Sequence, residues 1–346
     1  MRAKNLIKMG WGAIRANIWN RKLPLNVMLS VTNRCPSRCN YCNIPDRRQR
    51  ELTTDEIFSL IEQITRMGCQ RLGLWGGEPL IRDDIDAIIG YAKRKGLFVS
   101  LDSNGYFLPR NLKLISNLDH LILALDGPQE AHDSNREPGS FQKVMAAIEA
   151  VSGIVPLWTI TVVTKNNLDS VNFILDSARK YHFLATFQLL HHNDRLARNQ
   201  DTLMPSFISY RRVIEKLIME KKKGAPIASS LKYLYHILHW PDYRTAAYSY
   251  EINKLRCWAG RLYCNVDTDG SIYPCSLLVD KVSSLNFLEV GFEKAFEDIQ
   301  YNSCNGCMAS CFTEYNYLYS LDVSAIIQWL KAMKKTRSYL CKKAKQ

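Results

Sequence analysis

The sequence lacks the features that would place a protein in or beyond a membrane. None of its apolar runs reaches the roughly 18 residues that a membrane-spanning helix needs. The first residues, MRAKNLIKMGWG, lack the uninterrupted apolar stretch and small-residue cleavage site of a secretory signal. Internal repeats and low-complexity segments are also missing. We therefore expect a globular, cytoplasmic protein with one large core and a smaller appendage.

Acidic residues are missing from both ends of the chain. Residues 1–22 carry six Lys or Arg and residues 331–346 carry seven, which together account for the net charge of +13. Because the body between them is neutral, nucleic acid is not an expected partner, and a tRNA-modifying enzyme is a weak alternative. Both ends also carry Ile, Leu and Trp among the basic residues at helical spacing. This pattern is typical of two helices that dock on the body with their lysines in solvent, and it is also typical of peripheral contact with the inner face of a membrane.

Six short apolar segments predict strands, at residues 25–31, 71–75, 97–101, 121–126, 157–163 and 183–190. Segments with apolar residues at helical spacing separate them, and the first of these opens with the capping box Thr53 and Glu56. Alternating helices and apolar strands favour a parallel sheet, so we predict an α/β fold, a partial (β/α)6 TIM-like barrel. The predicted units are a basic amphipathic N-terminal segment, the barrel, a helical linker, a small cysteine-rich iron–sulfur module and a basic C-terminal helix, at residues 1–24, 25–205, 206–250, 251–318 and 319–346.

The first cysteine group has the spacing C-x3-C-x2-C and contains Cys35, Cys39 and Cys42. Eleven cysteines in a chain without an export signal favour metal ligation over disulfides. Three thiolates leave one iron of a four-iron cluster open, and an open iron can bind a cofactor and pass it an electron. Zinc is the alternative, but zinc normally takes four ligands and no nearby fourth Cys or His offers itself.

The segment Cys35-Pro-Ser-Arg-Cys39-Asn-Tyr-Cys42 resembles the signature of the radical S-adenosylmethionine (radical SAM) superfamily, and the resemblance extends over roughly residues 25–190. It implies a 4Fe–4S cluster on the three cysteines, with S-adenosylmethionine chelated to the open iron. One-electron reduction then releases a 5′-deoxyadenosyl radical that abstracts hydrogen from the substrate. The resemblance also implies an external one-electron donor such as flavodoxin or ferredoxin.

The resemblance further implies a set of cofactor-binding residues at the C-terminal ends of the strands, where parallel sheets bind ligands. Gly76 and Gly77 bring backbone close to the cofactor, and Glu78 accepts a hydrogen bond from its amino group. Arg136 binds its carboxylate, although Ala124 stands where the related subgroup often has serine. Tyr41 is expected to pack on adenine, and Ser103 and Asn104 are expected at the ribose hydroxyls. The other expected contacts are Pro79, Asp126 and Asn166.

A second cysteine group lies within 55 residues and consists of Cys257, Cys264, Cys275, Cys304, Cys307 and Cys311. Residues 267–275 predict a hairpin that delivers a cysteine. The group resembles the auxiliary modules called SPASM and twitch, and six thiolates complete one auxiliary 4Fe–4S cluster but not two. The preferred ligands are Cys257, Cys275, Cys304 and Cys307, and Cys264 or Cys311 can replace members of that set. A structural zinc ribbon is the alternative.

These patterns together predict a radical SAM oxidoreductase that acts on an unactivated carbon of a small-molecule or lipid-linked substrate. Peptide maturation is the alternative, because relatives with auxiliary clusters often modify peptides. We expect it less, since residues 1–24 are too short for the additional peptide-binding domain that such enzymes often carry. A non-catalytic electron carrier is the rival class, but it would need neither the Gly-Gly-Glu-Pro segment nor Arg136.

Overall fold

A computed structural model describes residues 3–193, 195–248, 255–300, 304 and 306–343. It confirms the α/β class and the parallel sheet. Six strands occur at the predicted places, and the first and last residue of each strand lie within two residues of the predicted ends. They are β1 (Asn26–Thr32), β2 (Arg71–Gly76), β3 (Phe98–Ser103), β4 (His120–Ala124), β5 (Leu157–Val163) and β6 (Leu184–Leu189).

The cysteine-rich region contributes two strands to this same sheet. After a short β7 (Ala247–Tyr248), the strand β8 (Tyr263–Val266) pairs parallel with β1, and β9 (Ile272–Tyr273) pairs antiparallel with β8. The order is therefore β6-β5-β4-β3-β2-β1-β8-β9. β10 (Gly306–Cys307) pairs with β7 in a separate ribbon. The predicted hairpin exists as β8–β9, and it extends the barrel sheet.

Helices cover the outer face of the sheet. The first of them after β1 has the predicted capping box, in which Thr53 accepts from the Glu56 amide (3.3 Å) and the Thr53 amide donates to the Glu56 carboxylate (2.8 Å). The helices are α1 (Ala3–Trp19), α2 (Thr54–Arg66), α3 (Ile85–Arg94), α4 (Leu112–Ile115), α5 (Gln129–Asn135), α6 (Ser140–Val151), α7 (Val171–Tyr181), α8 (Gln200–Leu203), α9 (Phe207–Lys222), α10 (Leu231–Leu238), α11 (Phe287–Val290), α12 (Phe292–Asp298), α13 (Ser310–Tyr319) and α14 (Val323–Lys343).

The segment predicted as a linker at residues 206–250 is built into the barrel core. Tyr210, Ile214 and Leu217 on α9 are fully buried in the same apolar cluster as the strands. The Tyr210 hydroxyl donates to the Leu190 carbonyl at the end of β6 (2.8 Å). Their spacing of four and three residues gives α9 one continuous apolar face, which the lysine-rich C-terminal turn obscures in the sequence.

The terminal helices α1 and α14 lie at the N-terminal ends of the strands. Asn5 on α1 donates to the Gly96 carbonyl just before β3 (3.1 Å). Trp158, at the start of β5, donates to the Thr336 hydroxyl on α14 (2.9 Å). In the part of the chain that the structure describes, no helix is both long enough and apolar enough to span a bilayer.

Candidate active site

The cysteine loop follows β1 at the C-terminal end of the barrel. Cys39 is buried, and Cys35 and Cys42 are half-buried. Two donors point at sulfur: the Arg136 guanidinium lies 3.5 Å from Cys39 Sγ, and the Asn104 side-chain amide lies 3.7 Å from Cys35 Sγ. Hydrogen bonds of this kind stabilise thiolates and clusters held by them.

Without a bound metal, the Cys35 and Cys42 thiols are protonated at neutral pH. Burial raises the pKa of the Cys35 thiol to about 12 and that of Cys42 to about 11. A bound metal deprotonates thiols that would otherwise stay protonated at neutral pH. Among the described residues, no three Cys, His, Asp or Glu side chains are grouped closely enough to hold one metal ion. The donor set fits the cluster that the sequence predicts, in which each thiolate binds a different iron.

Glu78 is fully buried and surrounded by donors. Its carboxylate accepts hydrogen bonds from the Ser103 hydroxyl (2.9 Å), the Asn104 amide (2.8 Å) and the Leu80 amide (3.1 Å). Burial nevertheless raises its pKa to about 7. Ser103 and Asn104 thus orient Glu78. The sequence predicted these two residues at the ribose and did not indicate this role.

Gly76 and Gly77 have a structural reason to lack side chains. A Cβ on Gly76, whose φ is +137°, would lie 2.3 Å from the Thr32 carbonyl oxygen, and one on Gly77 would lie 2.2 Å from the Arg34 carbonyl oxygen. The close approach is therefore to the backbone of the cysteine loop. Pro79 begins a short 3-10 turn behind Glu78 and is buried. This packing places Glu78 beside the cysteines.

Asp126 and Arg136 form a buried ion pair beside the cysteine loop. Arg136 Nε donates to Asp126 at 2.8 Å, and the Tyr41 hydroxyl donates to the same oxygen at 2.9 Å. The guanidinium also lies 5.6 Å from the centre of the Tyr41 ring. The other Asp126 oxygen accepts from the Val162 amide on β5 (2.9 Å). Asp126 thus anchors Arg136 and Tyr41.

The segment after β6 closes over the cysteine loop, which no motif in the sequence indicated. Cys42 forms an antiparallel bridge with Ala197, and Arg198 donates to the Cys39 carbonyl (3.2 Å). Asn166 lies nearby, because its side chain donates to Asn135, the neighbour of Arg136, at 3.3 Å. Only the tertiary fold brings these segments together.

Five of the six C-terminal cysteines lie near one another. The Cys257 and Cys304 thiols share a hydrogen bond, which lowers the pKa of Cys257. Cys307 interacts electrostatically with Cys275, Cys257 and Cys311. Cys257, Cys275 and Cys307 are buried in one apolar cluster with aromatic side chains. The four preferred ligands are thus neighbours, and Cys311 lies beside them on the first turn of α13.

Cys264 lies elsewhere. It is on β8, is 1% exposed, and belongs to the barrel core, where its neighbours include Val27 and Cys69. The strand places its side chain on the face opposite the other cysteines, so it cannot replace one of them without rebuilding β8. The spacing of the cysteines along the sequence did not indicate that Cys264 lies apart from the others.

A buried ion pair joins the cysteine loop region to the β8–β9 hairpin. Arg47 donates two hydrogen bonds to Asp267, at 3.0 and 2.5 Å, and the two side chains are 7% and 2% exposed. Bidentate geometry of this kind fixes orientation as well as distance. This ion pair therefore fixes the position of the cysteine loop relative to the β8–β9 hairpin.

Comparison with known proteins agrees with this geometry. The model of the family described as "Radical SAM superfamily" matches residues 29–178. Residues 29–178, which contain the cysteine loop and the Gly-Gly-Glu-Pro segment, are therefore identified as similar to a radical SAM domain. The mycofactocin maturase MftC of Mycolicibacterium smegmatis is 26% identical over 83% of this chain and 75% of its own length. The PqqA peptide cyclase of Bradyrhizobium diazoefficiens is 25% identical, over 81% and 74%. The AdoMet-dependent heme synthase of Methanosarcina barkeri is 26% identical, over 80% and 83%.

Solved structures of radical SAM enzymes share the fold. Streptococcus suis SuiB bound to S-adenosylmethionine superposes with a TM-score of 0.65, over 82% of this chain and 68% of that chain, at 13% identity. The enzyme anSMEcpe, solved with AdoMet and a peptide, gives 0.61 over 88% and 99%, at 16% identity. The chain therefore has the fold of these enzymes.

The match to the radical SAM family would make Cys35, Cys39 and Cys42 the residues that hold a 4Fe–4S cluster, with Glu78 and Arg136 beside it. When bound, the cluster and S-adenosylmethionine supply one-electron chemistry that produces a hydrogen-abstracting radical. Glu78 offers a hydrogen-bond acceptor for an amino group, and Ser103 and Asn104 hold the Glu78 side chain in place. Arg136, oriented by Asp126, offers a bidentate donor for a carboxylate.

The Glu78→Gln substitution is expected to weaken S-adenosylmethionine binding in a pH-dependent way. Above the pKa of about 7, the wild-type carboxylate is ionised and accepts the hydrogen bond, whereas the amide is a weaker acceptor. We expect the dissociation constant to rise about tenfold at a pH of about 8 and to change little at about 6, where the carboxyl is already neutral. Equilibrium dialysis of the reconstituted enzyme at both pH values measures this. An equal effect at both would contradict the role of Glu78 ionisation.

Proposed function

We propose that this radical SAM enzyme modifies a peptide, by abstracting hydrogen from an unactivated carbon of one of its residues. The observation that carries the proposal is the position of the cysteine module, which borders the interior of the barrel. Ser310 at the start of α13 donates to Gln188 on β6 (2.8 Å), and the Arg71 guanidinium on β2 lies 5.7 Å from the ring centre of Tyr315 on α13. A substrate in the barrel therefore lies between the first cysteine group and the second.

The auxiliary cluster is part of this proposal. Cys257, Cys275, Cys304 and Cys307 are its proposed ligands, because their thiols are neighbours and mostly buried. A cluster held there would supply a one-electron acceptor beside the substrate. Cys311 is exposed and its neighbour Ser310 contacts Gln188 on β6, so we assign Cys311 to the edge of the substrate space rather than to the cluster.

The names of the relatives favour a peptide over the small-molecule or lipid-linked substrate expected from the sequence. The PqqA peptide cyclase is named for a peptide, and SuiB has been solved bound to its precursor peptide SuiA. The enzyme anSMEcpe, nearly all of whose length this chain matches, was solved with peptides bound. The heme synthase relative keeps a small molecule as the second candidate.

A labelling experiment tests the peptide proposal. The full chain is reconstituted without oxygen and supplied with S-adenosylmethionine, a reductant and peptides translated from short reading frames beside its gene. Each peptide is deuterated at its carbon-bound positions. Peptide modification predicts transfer of deuterium into 5′-deoxyadenosine and a mass loss in the peptide. Transfer from a tetrapyrrole or another small molecule, with none from any peptide, would favour the second candidate.

Asp102 offers an anchor for a cationic or hydrogen-bond-donating group of the substrate. It lies on β3 next to Ser103, and its Oδ1 atom is buried without a hydrogen-bond partner among the described residues. Burial raises its pKa to about 6, and Arg71 is the neighbouring cation. A buried acceptor without a partner costs free energy, which a substrate donor would recover.

We expect Asp102→Asn to separate cofactor cleavage from product formation. The substitution keeps the shape but removes the negative charge, so product formation should fall by about a hundredfold while cleavage of S-adenosylmethionine persists. Asp119→Asn is the control. The Asp119 carboxylate also belongs to the barrel, but it binds Lys93 at the N-terminal ends of the strands. Chromatography of 5′-deoxyadenosine and product decides; parallel losses of both would exclude a substrate role for Asp102.

A further inference from the structure

The side of α1 that faces away from the barrel is apolar. Ile7, Trp11 and Ile18 are 72%, 56% and 65% exposed, and Ile14 between them is partly exposed. The spacing of four, three and four residues places all four side chains in one stripe along the helix. A helix of a soluble domain ordinarily turns such a stripe towards the core.

On the opposite side of α1, small residues lie close to the barrel and Met9 packs beside them. Ala13 and Ala16 are buried, and a Cβ on Gly12 would lie 2.7 Å from Leu25 Cδ2. Asn17 donates to the Tyr319 carbonyl at 2.8 Å. Docking on the barrel thus uses the small residues together with Met9 and leaves Ile7, Trp11 and Ile18 outside.

The helix α14 repeats this arrangement. Val323, Ile327 and Leu330 are 68%, 46% and 45% exposed, while Ala332 and Thr336 are buried against the barrel. Of the thirteen exposed large apolar side chains among the described residues, seven lie on α1 and α14. The concentration on two helices indicates a surface with a partner, since scattered exposed residues need no explanation.

Charge accompanies the apolar stripe. Lys4 and Lys8 are exposed on α1, and Lys331 and Lys334 are exposed on α14; neither helix contains an acidic residue. Within the described parts of the chain, these four lysines form no ion pair. The matching partner is therefore both apolar and negatively charged.

We infer that the outward faces of α1 and α14, which we call the terminal-helix surface, bind an anionic lipid bilayer. A bilayer offers an apolar layer beneath negative headgroups, the two properties that the surface matches. Trp11 and Trp19, both 56% exposed, are side chains suited to the headgroup level. The inference does not depend on the identity of the substrate.

The position of the terminal-helix surface determines the direction in which the active site points when the enzyme is bound to a bilayer. Both helices lie at the N-terminal ends of the strands, whereas the cysteine loop, Glu78 and Arg136 lie at the C-terminal ends. Membrane binding therefore turns the active site away from the bilayer. A substrate that arrives from solution reaches it directly, whereas a lipid-linked substrate still embedded in the bilayer does not.

Vesicle flotation of the full chain tests the inference. The protein is mixed with phosphatidylcholine vesicles, with or without phosphatidylglycerol, and centrifuged through a gradient. We expect it to float with the anionic vesicles and to be released by salt. Ile7→Glu combined with Ile18→Glu should lower the floating fraction by about tenfold, because both side chains would enter the apolar layer.

The matched control is Ile208→Glu on α9, where the replaced side chain is 62% exposed but lies outside the terminal-helix surface. It should float like the parent chain, and circular dichroism and iron content should be unchanged in all variants. A parent chain that stays at the bottom with anionic vesicles overturns the inference. So does a dimer in sedimentation velocity that the double variant dissociates, because that result assigns the surface to a second copy.

Discussion

Replacing Cys39 with alanine is expected to abolish cleavage of S-adenosylmethionine. Cys39 is the most buried of the three cysteines in its loop, and the Arg136 guanidinium points at its sulfur. A cluster that has only three thiolates cannot lose one and still hold its open iron in position. We expect 5′-deoxyadenosine formation with a strong reductant to fall by more than about a thousandfold, measured by chromatography after anaerobic reconstitution.

Cys69→Ala provides the matched control for this experiment. Cys69 is also buried, but it lies in the barrel core, and its thiol donates to the Arg71 carbonyl (3.2 Å). Loss of so small a side chain should cost about 1 kcal/mol of stability and leave cleavage intact. The cluster assignment would be wrong if Cys39→Ala kept near-normal cleavage, or if both substitutions removed it equally. Cys35→Ala and Cys42→Ala should behave like Cys39→Ala.

The second large effect concerns Cys307 in the C-terminal module. We expect Cys307→Ala to lower product formation by about a hundredfold while cleavage of S-adenosylmethionine continues without coupling to substrate. The reason is that Cys307 lies among Cys257, Cys275 and Cys304, outside the loop that holds the first cluster. Iron should fall from about eight to about four atoms per chain, since each 4Fe–4S cluster holds four.

Cys264→Ala is the control that the structure itself supplies. Cys264 belongs to the same sequence group, yet it lies in the barrel core beside Cys69. The variant should therefore keep about eight irons and form product. Four irons plus one zinc in the wild-type chain would contradict the auxiliary cluster and favour a zinc ribbon. Equal iron loss in the Cys264 and Cys307 variants would show that the module has a mainly structural role.

The sequence by itself determined the fold class and the first cysteine site. Strands β1 to β6 could be placed because apolar runs and helical periodicity are local properties. The start of α2 could be placed directly after Thr53 because a capping box spans only four residues. The cysteine loop and the Gly-Gly-Glu-Pro segment are also local, so their positions after β1 and β2 follow from the order of elements along the chain.

Only the tertiary structure decided which distant residues meet. Cys264 is seven residues from Cys257, but the pairing of β8 with β1 turns it into the core. The contacts of Ser103 with Glu78, and of Arg47 with Asp267, join residues that no local pattern relates. The same holds for the outward stripe of α1: periodicity shows that an apolar face exists, but the direction in which it points depends on which face packs on the barrel. Packing across the whole chain, and not spacing along it, fixes that choice.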